Sequence, residues 1–568
     1  MFLDKFFENK HAKWILSLCL LIVGILILGS KYSLGGLNPV DYVVINDGKL
    51  SGIRSFLGFW KLGHRFYLPG DSYFQSFGNF SLDSYSPYFR PVLYLIMGLE
   101  FFIFKLNYFL YFMVNVFLHS INSVLFFGIL NWFFPVLFAF LGALFFLFQG
   151  TLLDTFLHAY NINYIFTTTC LLLVIIFLKK YLYSNLYRFY FLSTLFFFLG
   201  QFTRDIFVVF PFILFGGVYL FYLNKIELNF RLFWIALKKT YLFFLISLSY
   251  LGILFYRISA FKSYGLSNFE IKILTLKWKD IVWVFLAYFR DAFGLSFLHI
   301  DKYTKFTLLF ILIFLFFLFY LFFKIKKLEK FYVLFLSFSA LALAWPILVV
   351  GYGVCYVYTT VPIVLFIVLF LIYKNNFLGR GKLFIFVLLC ITSFGAFFSD
   401  KVWDYKGSWI KTVNILDNFA QENNLNSKSC NKFVFVVTPK YLSSLSLLQH
   451  LRLITGSDNI QVYIIGATSY PDALENLEEQ IIIKKIKNGF RLVSLNKDIS
   501  FSGVKDLVNL LVKNENCVGQ FYIEELNDTK VKIFSFVFNE KWLKQNPDLQ
   551  FFTWDFKNNK FCPMLLNY

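Results

Sequence analysis

The stretch YFLYFMVNVFLHSINSVLFFGIL, residues 108–130, runs for twenty-three positions without a charged side chain. A helix of that length crosses the roughly 30 Å hydrocarbon core of a bilayer. Its polar members Asn115, His119 and Asn122 are spaced i, i+4 and i+7 and therefore share one face. In lipid such a stripe must face protein or a wet cavity, so the helix is expected inside a bundle, the stripe serving as interhelical glue or lining a cleft.

Read outward from this run, further apolar runs occupy residues 14–29, 135–148, 164–178, 189–201, 206–223, 241–256, 306–323, 331–350, 357–373 and 383–398. The reading is a multi-pass α-helical membrane protein of about eleven spans. Two shorter apolar stretches stand apart: 91–107 reads as amphipathic or interfacial, and 281–298, carrying Arg290 and Asp291, as interfacial or re-entrant. Composition agrees: of 568 residues, 58% are hydrophobic and 15% charged, a balance foreign to ordinary soluble proteins.

The net charge of +20 would suggest nucleic acid in a soluble chain. Here the cations sit in short clusters between apolar runs, at Lys179, Lys180 and Arg188, at Lys225, Arg231, Lys238 and Lys239, and at Lys324, Lys326, Lys327 and Lys330. Such clusters orient helices toward the cytoplasm, so the basic balance reports topology and no nucleic-acid partner is expected. Lys5, Lys10 and Lys13 before the first run mark a signal anchor with a cytoplasmic N-terminus. The expected location is a bacterial cytoplasmic membrane. The 82 Phe residues, with abundant Lys, Asn, Ile and Tyr, read as the coding bias of an AT-rich genome.

This topology puts residues 31–90 outside, a loop far longer than a connection requires. It contains Asp41, Asp47, Asp71 and Asp83 and ends in Ser-Pro-Tyr-Phe-Arg-Pro at 86–91. The second external turn, 149–163, holds Asp154, His158, Asn161 and Asn163 and no cation. Arg204 and Asp205 form the third. Asp41, Asp154 and Asp205 thus lie at external ends of three connections, as caps or as the walls of one cleft. Arg90 and Arg204 are guanidinium groups on the same side, suited to bidentate phosphate binding or to pairing with a neighbouring Asp.

From residue 399 the character changes. Charges become frequent and apolar runs shrink to strand length, at 433–438, 460–465, 520–524 and 531–538, with a helix expected at 445–454. Residues 1–398 are therefore read as the transmembrane domain, with 31–90 as its large first external loop, and 399–568 as a small external α+β domain. The seven Cys form no CxxC and no Cys/His cluster; among Cys430, Cys517 and Cys562 one disulfide is open, with unreadable pairing.

The order of these features resembles the GT-C class of integral-membrane glycosyltransferases, in particular the branch of protein O-mannosyltransferases with tetratricopeptide tails and their bacterial relatives. Asp41-Tyr-Val-Val-Ile-Asn-Asp47 resembles the acidic start of that family's first external loop. Tyr88-Phe-Arg-Pro-Val resembles its Tyr-Arg-Pro-Leu motif with one residue inserted. Asn115 to Ser123 resembles its Asn-Leu-x-x-His-x-x-x-Ser helix. Phe148 to Asp154 is similar to its His-Pro-x-x-x-Glu turn, with Gln149-Gly150 in place of His-Pro. Leu199 to Pro211 resembles its Ser-Lys-Glu-x-x-x-x-x-Pro segment, with Asp205 in place of Glu. Residues 352–358 lack the Arg of the family's Arg-Tyr-x-Tyr turn, and no tetratricopeptide repeats follow.

The resemblance implies inverting transfer of a sugar from a polyprenyl-phosphate donor to an acceptor glycan, lipid or protein at the external face. It implies Asp41 as base with Asp47 in reserve, and Asp154 positioning the acceptor or sharing an optional Mg²⁺ or Mn²⁺ with Asp41. Arg90, His119, Asn161 and Arg204 fall on the substrate and phosphate side, with Asp205 orienting Arg204 or a nearby backbone group. Two other classes compete: a transporter or flippase of lipid-linked saccharides, and a non-enzymatic membrane assembly protein.

Overall fold

The computed structural model describes residues 10–30, 45, 89–149, 152–223, 230–260, 278–292, 312–313, 315–344, 354–375, 408–423, 432–435, 438–439, 450–451, 453, 461–464, 467–468, 481–494, 517–526, 529–545, 549–555 and 560–564. They divide into two compact units. The first contains every described helix as far as Lys374; apart from Ile45, the described part of the second runs from Ser408 to Met564.

The first unit begins with α1 (Lys10–Gly29), α2 (Pro91–Phe104), α3 (Tyr108–Leu130), α4 (Val136–Leu147) and the single turn α5 (Leu153–Phe156). A 3₁₀ turn (Ala159–Asn161) leads into α6 (Ile162–Ser184), then α7 (Tyr187–Thr203), a second 3₁₀ turn (Asp205–Val209) and α8 (Phe210–Leu223). There follow α9 (Phe230–Ala260), α10 (Trp278–Ala292), α11 (Leu315–Lys324), α12 (Lys327–Leu343), the short α13 (Val354–Val357) and α14 (Val361–Lys374). Among the described residues five helical stretches are long and apolar enough to cross a membrane: His11–Gly29, Tyr108–Leu130, Ala159–Ser184, Asp205–Leu223 and Phe230–Tyr256.

The run 135–148 expected as a span is a 12-residue helix. At about 1.5 Å per residue it falls short of the bilayer core by itself, because Pro135 can only start it and the chain leaves helical geometry at Phe148. α7, α12 and α14 are likewise helical but only 17, 17 and 14 residues long. Of the expected span 306–323, a helix is described from Leu315; the run 383–398 lies outside the described residues. The stretch 91–107 is helical over Pro91–Phe104, as α2, with Pro91 at its first turn, where a missing N–H costs nothing.

Packing follows the sequence order. α1 lies along α3, α3 meets α4 and α6, α6 runs beside α7, α8 beside α9, and α12 beside α14. The contacts are largely aromatic, as the Phe content dictates: Phe197, Phe207, Phe210 and Phe243 form one buried cluster of offset and edge-on rings. Gly200 makes that cluster possible, since a Cβ there would stand 2.5 Å from Cζ of Phe207. α6 ends at Asn185, whose left-handed backbone (φ 53°) lets its N–H bond Tyr181 O at 2.8 Å.

The second unit has a mixed sheet of order β10-β9-β1-β3, built from β1 (Lys432–Phe435), β3 (Gln461–Ile464), β9 (Leu549–Asp555) and β10 (Lys560–Met564), with β1 parallel to both β3 and β9. Beside it are a short parallel pair of β2 (Thr438–Pro439) with β4 (Ala467–Thr468), and an antiparallel sheet β5-β6-β8-β7. The latter is formed by β5 (Ile481–Ile486), β6 (Gly489–Ser494), β7 (Cys517–Leu526) and β8 (Thr529–Phe538). The helix α15 (Ser408–Glu422) places Phe419 against Phe433, Phe435, Phe552 and Phe561, and α16 (Glu540–Gln545) links β8 to β9. Of the expected helix 445–454, positions 450, 451 and 453 are described and helical. Cys562 is a free thiol, so the disulfide left open in the sequence does not include it.

Candidate active site

One end of the first unit gathers the polar chain turns. The end of α7 and the start of α8 flank Arg204 and Asp205, and the start of α2 carries Arg90. The 3₁₀ turn before α6 carries Tyr160 and Asn161, and the first turn of α6 carries Asn163.

Arg90 precedes the proline that starts α2, so its backbone is held outside the helix while its side chain reaches across the bundle. Nη2 meets Asp205 Oδ2 at 2.6 Å, and Nη1 donates to the Tyr160 hydroxyl at 2.9 Å. The other Asp205 oxygen accepts a short hydrogen bond from the Tyr250 hydroxyl of α9. Phe89, Val92, Phe202 and Tyr250 pack into an apolar cluster beside this pair, with Phe202 edge-on to both Phe89 and Tyr250. Arg90 is only 8% exposed. The cluster lowers the local dielectric and so strengthens the ion pair while raising the cost of losing either partner.

Arg204 has an extended backbone (φ −157°, ψ 140°) between α7 and the 3₁₀ turn. Successive side chains in an extended segment point to opposite sides, and the two side chains bond different partners. Arg204 turns toward α6: its guanidinium lies 3.4 Å from the centre of the Tyr164 ring, and Nη1 donates to Asn163 Oδ1 at 2.8 Å. Asp205, expected to orient Arg204 or a nearby backbone group, has its carboxylate bonded to Arg90 and Tyr250.

The connection 149–163 is clamped to α3. Tyr108 donates to Leu157 O at 2.8 Å, and Asn115 Nδ2 donates to His158 O at 2.9 Å and Phe156 O at 3.3 Å. These bonds fix α5, on whose backbone Asp154 sits; the Asp154 side chain is outside the described set, as are Asp41 and Asp47 altogether. Asn161 closes the 3₁₀ turn at the start of α6 and is buried. Among the described residues no three His, Cys, Asp or Glu side chains cluster as metal ligands.

His119 lies one level deeper, fully buried. Its Nε2 faces Leu147 O at 3.1 Å; a carbonyl only accepts, so Nε2 carries the proton. Nδ1 then accepts from the Tyr358 hydroxyl at 2.5 Å, and Asn122 donates to the same oxygen at 3.3 Å and to Ile165 O at 3.0 Å. The ring stacks on Phe156 at 5.4 Å. The structure thus places His119 in a bridge joining α3, α4, α6 and the turn after α13.

Gln149 Nε2 donates to Asp291 O at 2.7 Å and Ala292 O at 3.2 Å, capping the end of α10, where Arg290 grips the Asp291 carboxylate through Nε and Nη2. Tyr160, Tyr250 and Tyr358 were missed in the sequence reading. Each is one aromatic among 35 Tyr, although Tyr160 lies in the turn 149–163 and Tyr358 in the segment 352–358, both singled out for other reasons.

No protein-family profile matches the chain, and no curated protein matches it. Among solved structures it is similar to the oligosaccharyltransferase of Archaeoglobus fulgidus, tethered through a disulfide bond to an acceptor peptide containing the NVT sequon, with 10% identity and a TM-score of 0.41. The likeness covers 78% of this chain, which spans 63% of that one.

Proposed function

We propose that the protein is a membrane glycosyltransferase that moves a sugar from a polyprenyl-phosphate donor to an acceptor hydroxyl at the external face, with inversion. The observation that carries the reading is the Arg90–Asp205 pair with Arg204 at the adjoining position, which draws three connections to one end of the helical unit. Guanidinium groups on two adjoining connections, Arg90 and Arg204, are the chemistry suited to a phosphate leaving group.

In this reading Asp41 takes the proton of the acceptor hydroxyl as its oxygen attacks the anomeric carbon. The bond from that carbon to the phosphate oxygen breaks, and Arg90 and Arg204 neutralise the departing polyprenyl phosphate. Asp47 is the alternative base, and Asp154 positions the acceptor. If a divalent ion takes part, Asp41 and Asp154 would hold it, and it would polarise the phosphate oxygens.

The test supplies membranes containing the protein with labelled polyprenyl-phosphate sugars and follows acceptor mass by mass spectrometry. Transfer is expected with the native chain, and loss of about a hundredfold or more in Asp41→Asn at normal expression. An Asp41→Asn protein with full transfer activity would remove the assigned base, and movement of lipid-linked sugar between leaflets without a new glycosidic bond would favour a flippase.

A further inference from the structure

The opposite end of the helical unit carries a feature that the proposed transfer does not use. Tyr160, in the Arg90 cluster, and Tyr181 belong to the same continuous helical stretch, 21 residues apart. At about 1.5 Å per residue that is about 31 Å, the thickness of a hydrocarbon core, so Tyr181 sits at the other membrane interface.

Around Tyr181 the chain assembles cations from three helices and seats them on aromatic rings. Lys239 of α9 donates to the Tyr181 hydroxyl at 2.9 Å, and its Nζ stands 4.3 Å from the ring centre. Lys179 Nζ lies 3.4 Å over the Trp132 ring, in the turn after α3. Lys180 and the Arg188 guanidinium converge on Phe189 at 5.5 Å and 4.9 Å. Tyr187 and Tyr190 pack on Tyr181 at 6.1 Å and 4.9 Å.

Among the described residues, none of these four cations has a carboxylate partner. For Lys179, Lys180 and Arg188 the sequence explains why: from Phe101 to Arg204 the only acidic residue is Asp154, on α5 before the other end of α6. Lysines that merely orient helices have no need to be seated on rings. Here cation–π contacts hold the positive groups in place while leaving their charge unmatched. Tyr183 and Tyr187 are exposed beside them, as amphipathic side chains are at headgroup depth.

We infer that Lys179, Lys180, Arg188 and Lys239 form a binding surface for the phosphate headgroups of anionic phospholipids, in the leaflet opposite the Arg90–Asp205 end. Lipid is the occupant, rather than a soluble polyanion, because the cations ring the ends of apolar helices at the depth where headgroups lie. Each nearby Lys or Arg strengthens attraction to anionic lipid.

The experiment places the full chain in nanodiscs of phosphatidylcholine with or without phosphatidylglycerol and counts retained lipids by native mass spectrometry. The native protein is expected to retain phosphatidylglycerol selectively. Replacing the four residues by Gln should weaken that retention by about tenfold or more, while replacing the three lysines by Arg should preserve it. Millimolar inorganic phosphate should not displace the lipid, and its doing so would show a free-anion site instead. Equal retention of both lipids by the native chain, or undiminished retention in the four-Gln protein, would overturn the proposal. Should the four-Gln protein fail to insert, single Lys239→Gln and Arg188→Gln proteins are measured the same way, each expected to lose about threefold or more.

Discussion

Arg90 and Asp205, 115 positions apart in the chain, meet at 2.6 Å, and a tyrosine hydroxyl from a third helix holds the far side of the carboxylate. Removing one partner leaves the other charged and buried. Asp205→Asn and Arg90→Gln should each destabilise the protein by about 3–5 kcal/mol. The double variant should lose less than the sum, as chemical or thermal unfolding in detergent will show. Additive losses would mean the pair is not a unit.

Tyr250→Phe keeps the ring against Phe202 and removes only the hydroxyl. The expected cost is about 1.5–3 kcal/mol, the range for a hydrogen bond to a charged group. If Arg90 contacts the donor phosphate, the same variant should raise the KM for donor more than it lowers kcat, read from initial rates of transfer.

His119 and Tyr358 satisfy each other inside the bundle. His119→Phe leaves Leu147 O and the Tyr358 hydroxyl without their bonds to His119, and should cost about 2–4 kcal/mol. Tyr358→Phe should cost less, since Nδ1 of His119 loses a donor but keeps its ring packing. A double-mutant cycle on unfolding midpoints should give a coupling of about 1 kcal/mol.

Glu329, in the first turn of α12, bonds Lys374 at the end of α14 at 2.8 Å. Burial pushes its carboxyl up, but the bonds from Lys374 and from the Lys326 N–H outweigh burial and hold it below the usual carboxylate range. A group held low contributes stability that is present above its unfolded pKa, about 4.3, and lost as pH falls through the folded value. Both side chains are partly exposed, so the contribution is about 0.5–1 kcal/mol. Unfolding midpoints compared at pH 7 and pH 3.5 should therefore differ less in Glu329→Gln than in the native chain.

What could be read from the sequence was whatever is periodic. The polar stripe of α3 announced a buried face, and the structure engages all three of its members. Strands β1, β3, β7 and β8 follow the apolar runs and alternations that marked them. Pairing between distant positions was not legible: nothing local in Leu549–Asp555 says that it lies beside β1. Arg90 and Asp205 were each singled out, yet their mutual bond depends on helix packing that no spacing encodes. The helix boundaries moved where proline and extended residues intervened, at Pro135 and Arg204.

The extended backbone at Arg204 has a consequence for how this end of the molecule could be rewired. Two neighbouring charges are dealt to two different helices, so their order, rather than their presence, determines the wiring. Exchanging them, Arg204→Asp with Asp205→Arg, conserves charge, composition and volume. It would nonetheless set an acid against the negative face of Tyr164 and a second guanidinium against Arg90.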